Sequence, residues 1–156
     1  MPTAYLLIGV QGSGKSTWAR ENAERLGAAV IASDEIRNEL EALGIDATDE
    51  GDRVFAEVEA RMDAPLAQGR DVMVDATHAL KAWRAKETAI ARRRGARLVA
   101  IWFDVPLEAS LARNAARPGG GWGDRVVPAD VIRGWHAAFE PPTAAEFDEI
   151  IRLTRP

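Results

Sequence analysis

Residues 9–17 read Gly9-Val10-Gln11-Gly12-Ser13-Gly14-Lys15-Ser16-Thr17, and the spacing G-x-x-x-x-G-K-[ST] is that of a loop that cradles phosphate. Glycine frees the backbone to turn, so that Gly9, Gln11, Gly12, Ser13, Gly14 and Thr17 can together wrap an anion in N–H and hydroxyl donors. Lys15 adds a mobile positive charge for the β- and γ-phosphates, and the Ser16 hydroxyl is the expected ligand of magnesium. The implied ligand is a nucleoside triphosphate with magnesium. A plainer reading is a glycine turn that only caps a helix; the buried strand before the run and the helix after it favour the phosphate loop.

Two acids stand where an α/β sheet places its ligands, beyond the carboxyl ends of strands: Asp34 after the second apolar run and Asp75 after the third. Transfer of a phosphoryl group to a hydroxyl needs a base near the departing proton and an acid near magnesium. Asp34 is expected as the base, Asp75 as the acid nearer the metal together with Ser16. The bland alternatives are a first-turn or N-cap acid for Asp34 and an Asx turn for Asp75. Arg37 lies three residues beyond Asp34, on the same helical face, where it can fix the carboxylate or hold a phosphate of the acceptor. Arg113 and Arg117 are four apart on an expected helix, ahead of a glycine-rich stretch ending at Arg125-Val126-Val127-Pro128. They are expected on a mobile lid over residues 113–127 that closes on the triphosphate and neutralises developing charge. The competing reading is an ordinary exposed linker. Trp122 in that stretch is placed equally well stacking on a ring or lying on the surface.

These residues must be held by elements, and the apolar pattern supplies them. Strands are expected at 5–8, 28–31, 71–74, 97–103 and 149–153, and helices at 16–26, 35–43, 50–68, 80–94, 107–117 and 128–139. Strand alternating with helix implies a single α/β domain over residues 1–156, a doubly wound parallel sheet of about five strands with helices on both faces. Arg92-Arg93-Arg94 ends a helix and is read as a solvated turn facing the negative end of the dipole. Trp18, Trp83, Trp102 and Trp135 are read as packing residues, His136 as structural, and His78, at a strand end, as able to touch substrate.

Composition excludes several classes of function. The 156 residues include no cysteine and only two histidines, which rules out disulfides, thiolate nucleophiles and Cys- or His-rich metal clusters. With 20 Lys and Arg against 24 Asp and Glu, net charge −4, there is no general attraction to polyanions. The first residues show no basic stretch leading an apolar one, and no apolar run spans a bilayer, so a cytoplasmic protein without a membrane partner is expected.

In Gly9 to Thr17, Ser33-Asp34-Glu35-Ile36-Arg37, Val74-Asp75-Ala76-Thr77-His78 and the pair Arg113 and Arg117 ahead of Arg125-Val126-Val127-Pro128, taken in that order, the chain resembles the P-loop phosphotransferases that include the kinase domain of polynucleotide 5′-hydroxyl kinases. Zeta-toxin-like and small-metabolite kinases are relatives in that resemblance. It implies a P-loop NTPase-type fold, ATP with magnesium, Lys15 and Ser16 on phosphate and metal, Asp34 activating the acceptor hydroxyl, Arg37 on the acceptor's phosphate, and Arg113 and Arg117 as lid arginines. His78 stands where such kinases often have asparagine, so no role passes to it. The acid-x-x-arginine pair favours a 5′-hydroxyl nucleic acid end as acceptor. A small hydroxylated metabolite, nucleoside or antibiotic is the alternative, and a nucleotide-binding ATPase or switch module the third. ATP rather than another triphosphate rests on the resemblance alone, and oligomeric state is left open.

Overall fold

Each apolar run expected as a strand forms one. The computed structural model describes residues 1–47, 52–119 and 124–155. In chain order the elements are β1 (Thr3–Ile8), α1 (Lys15–Leu26), β2 (Ala29–Ala32), α2 (Ser33–Ala42), α3 (Asp52–Ala67), β3 (Val72–Asp75), α4 (Lys81–Arg93), β4 (Arg97–Phe103), α5 (Leu107–Ala115), α6 (Ala129–Ala138) and β5 (Glu149–Leu153). The five strands form one sheet in the order β2-β3-β1-β4-β5, with every pairing parallel.

Side chains alternate across a strand, so β1 serves two cores. Ala4, Leu6 and Ile8 face a cluster that includes Ile36 of α2, Val54, Val58 and Met62 of α3, and Ile90 of α4. Leu7 faces the other way, with Met73, Val99 and Ile101, against Ala19 and Trp18 of α1. Helices therefore cover both faces, as the alternation of strand and helix requires. Burial of each Leu, Ile or Val contributes about 1.5–3 kcal/mol, which accounts for the wholly apolar character of the central strands.

Several boundaries move, and some carry site residues with them. Helix α2 begins at Ser33, two residues earlier than expected, so Asp34 lies in its first turn. Strand β3 runs on through Asp75. Helix α5 ends at Ala115 instead of continuing to Arg117, so Arg113 and Arg117 do not share a helical face. The cause is Pro118, whose ring disfavours helical backbone in the residue before it. The glycine-rich tip, with Trp122, lies outside the described residues.

Among the residues read as structural, Arg92 pairs with Asp148, and Arg93 and Arg94 pair with Asp63. The basic run is thus a set of ion pairs at the end of α4. Trp18 meets Phe103 edge to face, and Trp102 stacks on Phe139. Trp83 departs from the expectation of packing, being 41% exposed while its ring meets Trp135 edge-on at 4.7 Å. His136 is exposed on α6 instead of packed. Among the described residues no helix is long and apolar enough to cross a membrane.

Candidate phosphate-transfer site

The site forms where the chain leaves β1 between its neighbours β3 and β4. Gly12 and Gly14 have φ of 81° and 104°, the left-handed region that glycine adopts without strain. A Cβ on Gly12 would run into the carbonyl oxygen of Ser110, so the loop is wedged against α5. A Cβ on Gly9 would come within 2.6 Å of the Ser13 hydroxyl oxygen. The Gly9 N–H donates to the Thr77 carbonyl at 3.1 Å and joins the loop after β1 to the loop after β3.

Lys15 is the first residue of α1 and is buried; its ammonium donates to the carbonyls of Gly9 at 2.7 Å and Val10 at 3.0 Å. Burial lowers its pKa to about 8, against the opposing pull of Asp75 and Asp34 and with some help from Arg117. A triphosphate in the loop would supply the negative charge that this ammonium lacks. Ser16 Oγ donates to Asp75 Oδ2 at 2.8 Å, and the Asp75 carbonyl accepts from Ser33 Oγ at 3.3 Å. A hydroxyl and a carboxylate oxygen brought together in this way fit magnesium, which takes hard oxygen ligands, often one carboxylate supplemented by the substrate's phosphates.

Two clefts open around these residues. One, about 260 Å³, is lined by Lys15, Ser16 and Thr17 with Arg20, Arg113, Arg117 and Asp124. The other is lined by Gln11, Lys15, Ser16, Ser33, Asp34, Asp75, Thr77 and Arg117. Lys15, Ser16 and Arg117 border both. Asp34, Asp75 and Arg113 thus reach the clefts as expected, and Gly14 does too, whereas Gly9 and Gly12 shape the loop from beneath. Ser13 is fully buried under it. Arg37 borders neither cleft; its guanidinium donates to the Ala47 carbonyl at 3.0 Å.

The stretch after α5 is fastened at three points. The Asn114 side chain donates to the Val127 carbonyl at 2.7 Å and accepts from the Val127 N–H at 2.9 Å. Arg117 donates to the Arg125 carbonyl at 2.9 Å, and the Gly119 N–H to the Asp124 carbonyl at 2.8 Å. Burial pulls the Arg117 pKa below the usual guanidinium range, against the attraction of Asp34 and Asp75. Although it lies off the helix, Arg117 is coupled to both acids.

His78 does not offer itself to substrate. It is 2% exposed, with φ 50°. Its Nδ1–H donates to the Leu7 carbonyl at 2.6 Å, while Nε2 lies 2.6 Å from Glu87 Oε2, a close charge contact between two buried side chains. Burial pushes the imidazole pKa down, and Glu87 and the Leu7 carbonyl outweigh it, so the net shift is upward. Arg20, Ser33, Thr77 and Asp124 are the cleft residues that sequence reasoning missed. Ser33 and Thr77 stood in the motifs of the resemblance without a role of their own, Asp124 lay within the expected lid, and Arg20 follows Ser16 by one helical turn.

The parallel sheet with β1 between β3 and β4, and a phosphate loop closing onto α1, define a P-loop protein of the kinase type. The chain belongs to the AAA domain family, whose model matches residues 5–142. It is similar in structure to a sugar kinase from Janibacter sp. HTCC2649, at 22% identity over 99% of this chain and 86% of that one, TM-score 0.72. It is similar to a gluconokinase from Sinorhizobium meliloti 1021, at 21% identity over 99% and 85%, TM-score 0.65. A chain of the Pnkp1/Rnl/Hen1 RNA repair complex matches at 24% identity over 88% of this chain and 43% of that one, TM-score 0.74. A search of curated proteins found no match.

Proposed function

We propose that the protein transfers the γ-phosphate of ATP, with magnesium, to the 5′-hydroxyl of a nucleic acid end. The observation that carries the transfer reading is that Lys15, Ser16 and Arg117 border both clefts. A phosphate held there faces a donor on one side and the Asp34 carboxylate on the other. In this reading the phosphate loop and Lys15 bind the β- and γ-phosphates, and Ser16 and Asp75 hold the metal. The metal that Ser16 and Asp75 would hold would supply positive charge against that of the phosphates. Asp34 takes the proton as the acceptor oxygen forms its bond to the γ-phosphorus; the bond from that phosphorus to the β–γ bridging oxygen breaks, and ADP leaves. Arg113 and Arg117 offset charge on the transferring group and exclude water, which favours transfer over hydrolysis.

The nucleic acid acceptor is supported by the likeness to the RNA repair chain, and Arg37, one helical turn from Asp34, would serve it by leaving the Ala47 carbonyl. A small polyhydroxylated acceptor is the second reading, favoured by the engagement of Arg37 with Ala47 and by the likeness to a sugar kinase and a gluconokinase. The test is incubation with γ-labelled ATP, magnesium and a 5′-hydroxyl oligonucleotide, beside gluconate and a panel of sugars. Label on the oligonucleotide end, reduced about 100-fold or more in Asp34→Ala, is the expected result. Label on a small compound alone would move the acceptor to the second reading, and hydrolysis of ATP with no labelled acceptor would overturn both.

A further inference from the structure

His78 and Glu87 are buried ionisable side chains that the chemistry above leaves unused, 2% and 1% exposed. His78 follows directly on a wall of the site. Asp75, Ala76 and Thr77 border the cleft that holds Asp34, and none of them borders the cleft lined by Arg20 and Arg113. Asp75 is held by the sheet, being the last residue of β3 and paired with Leu7 on one side and Ala32 on the other. From Ala76 onward the strand has ended, and the loop to α4 must be fixed by other bonds.

Two bonds do this on the β1 side. The Gly9 N–H donates to the Thr77 carbonyl at 3.1 Å, and His78 Nδ1–H donates to the Leu7 carbonyl at 2.6 Å. A carbonyl only accepts, so Nδ1 carries a proton. Nε2 faces Glu87 Oε2 at 2.6 Å, and among the described residues neither oxygen of that carboxylate has a hydrogen-bond partner, which leaves the ring as its close neighbour in charge. The backbone shows how firmly the ring is held. His78 has φ 50°, a left-handed conformation that a residue with a Cβ adopts at a cost and that persists where the surroundings impose it. Its own carbonyl accepts from the Arg84 guanidinium at 2.8 Å, so ring and carbonyl are both fastened.

We propose that His78 is a positioning residue for the acceptor side of the site: its bond to the Leu7 carbonyl, with Glu87 behind the ring, sets where Ala76 and Thr77 stand beside Asp34. The inference rests on the reading that the acceptor enters the cleft bordered by Asp34. His78 itself borders neither cleft, so it acts through Ala76 and Thr77. A misplacement of about 1 Å in such a wall can cost about 100-fold in rate. The phosphate loop, closed by Lys15 on the carbonyls of Gly9 and Val10, keeps its own bonds when the ring is lost. Nucleotide binding and turnover should therefore separate.

The test compares His78→Ala with His78→Asn. Both leave Glu87 without the ring, but the asparagine amide stands near the place of Nδ1, can donate to Leu7 and tolerates a positive φ better than alanine. Turnover would be read at saturating ATP with a 5′-hydroxyl oligonucleotide and with the panel of sugars, ATP affinity by calorimetry, and folding by thermal melting. His78→Ala is expected to slow transfer about 100-fold with ATP affinity within about twofold of the wild type, and His78→Asn to recover about tenfold of that loss. Were either variant unfolded, the pair would be made together with Glu87→Gln, which removes the stranded charge. Loss of ATP affinity in step with turnover, or an equal loss in both variants, would overturn the positioning role. Unchanged transfer in His78→Ala would overturn it too and leave the proposed function standing. Were the wild type to phosphorylate no acceptor, the proposed function would fall, and ATP hydrolysis would be read instead, since water then occupies the cleft beside Asp34. Hydrolysis slowed in His78→Ala and recovered in His78→Asn would still support the positioning role, and unchanged hydrolysis would overturn it.

Discussion

Lys15 shows how a single residue carries both the signature and the cost of a phosphate site. Its ammonium is buried against two carbonyls, and burial lowers its pKa to about 8. A bound triphosphate favours the protonated form, so binding must take up a proton wherever the free protein has lost it. Affinity for ATP is therefore expected to be flat below pH 8 and to fall towards about tenfold per pH unit above it, as the free ammonium deprotonates. Calorimetric titration across pH checks this, and Lys15→Met should show weak binding with no such break. A profile with no break above pH 8 would remove Lys15 from the linkage.

At the scale of elements, the loop after β3 is held from three sides. Gly9 donates to Thr77, His78 donates to Leu7, and the guanidinium of Arg84 in α4 donates to the His78 carbonyl at 2.8 Å. The same guanidinium pairs with Glu146 at 2.8 Å and donates to the Glu140 carbonyl at 2.8 Å, tying α4 to the segment between α6 and β5. Arg84 is fully buried, so its loss strands a carboxylate and the carbonyls of His78, Glu140 and Pro141 at once. Arg84→Met is expected to destabilise the fold by about 3–5 kcal/mol, read as a lower urea midpoint. A loss below about 1 kcal/mol would mean that the network is not cooperative. In the sequence Arg84 is one arginine among many on a helix; neither its burial nor its partners Glu140 and Glu146, which lie over fifty residues away, leave a local signal.

For the whole molecule, the phosphate loop, β3 and the stretch after α5 meet only in the folded state, so a ligand that binds all three stabilises the fold by mass action. At about 100 times Kd, ATP with magnesium should contribute about 2.7 kcal/mol, a rise in Tm of about 5–10 °C for a chain of this size. Asp75→Asn should keep much of the shift given by ATP alone and lose the increment that magnesium adds. An equal increment in that variant would remove Asp75 from the metal site.

The order of elements, the parallel sheet and the phosphate loop were legible from the sequence because they are written in local terms: apolar runs of strand length, and a spacing of glycines, lysine and hydroxyl that one turn uses by itself. Asp34 and Asp75 were legible for a related reason, since a strand's carboxyl end is known once the strand is known. The helix boundary that carries Arg117 off α5 was misjudged although Pro118 announced it. What only the tertiary structure decided are the meetings between distant segments: Arg37 turned onto Ala47, His78 buried between Leu7 and Glu87, and Trp83 left open beside Phe55. Whether a histidine is buried or a tryptophan exposed depends on what packs against it, and those neighbours are set by the crossing of helices over the sheet, a property of no single stretch of chain.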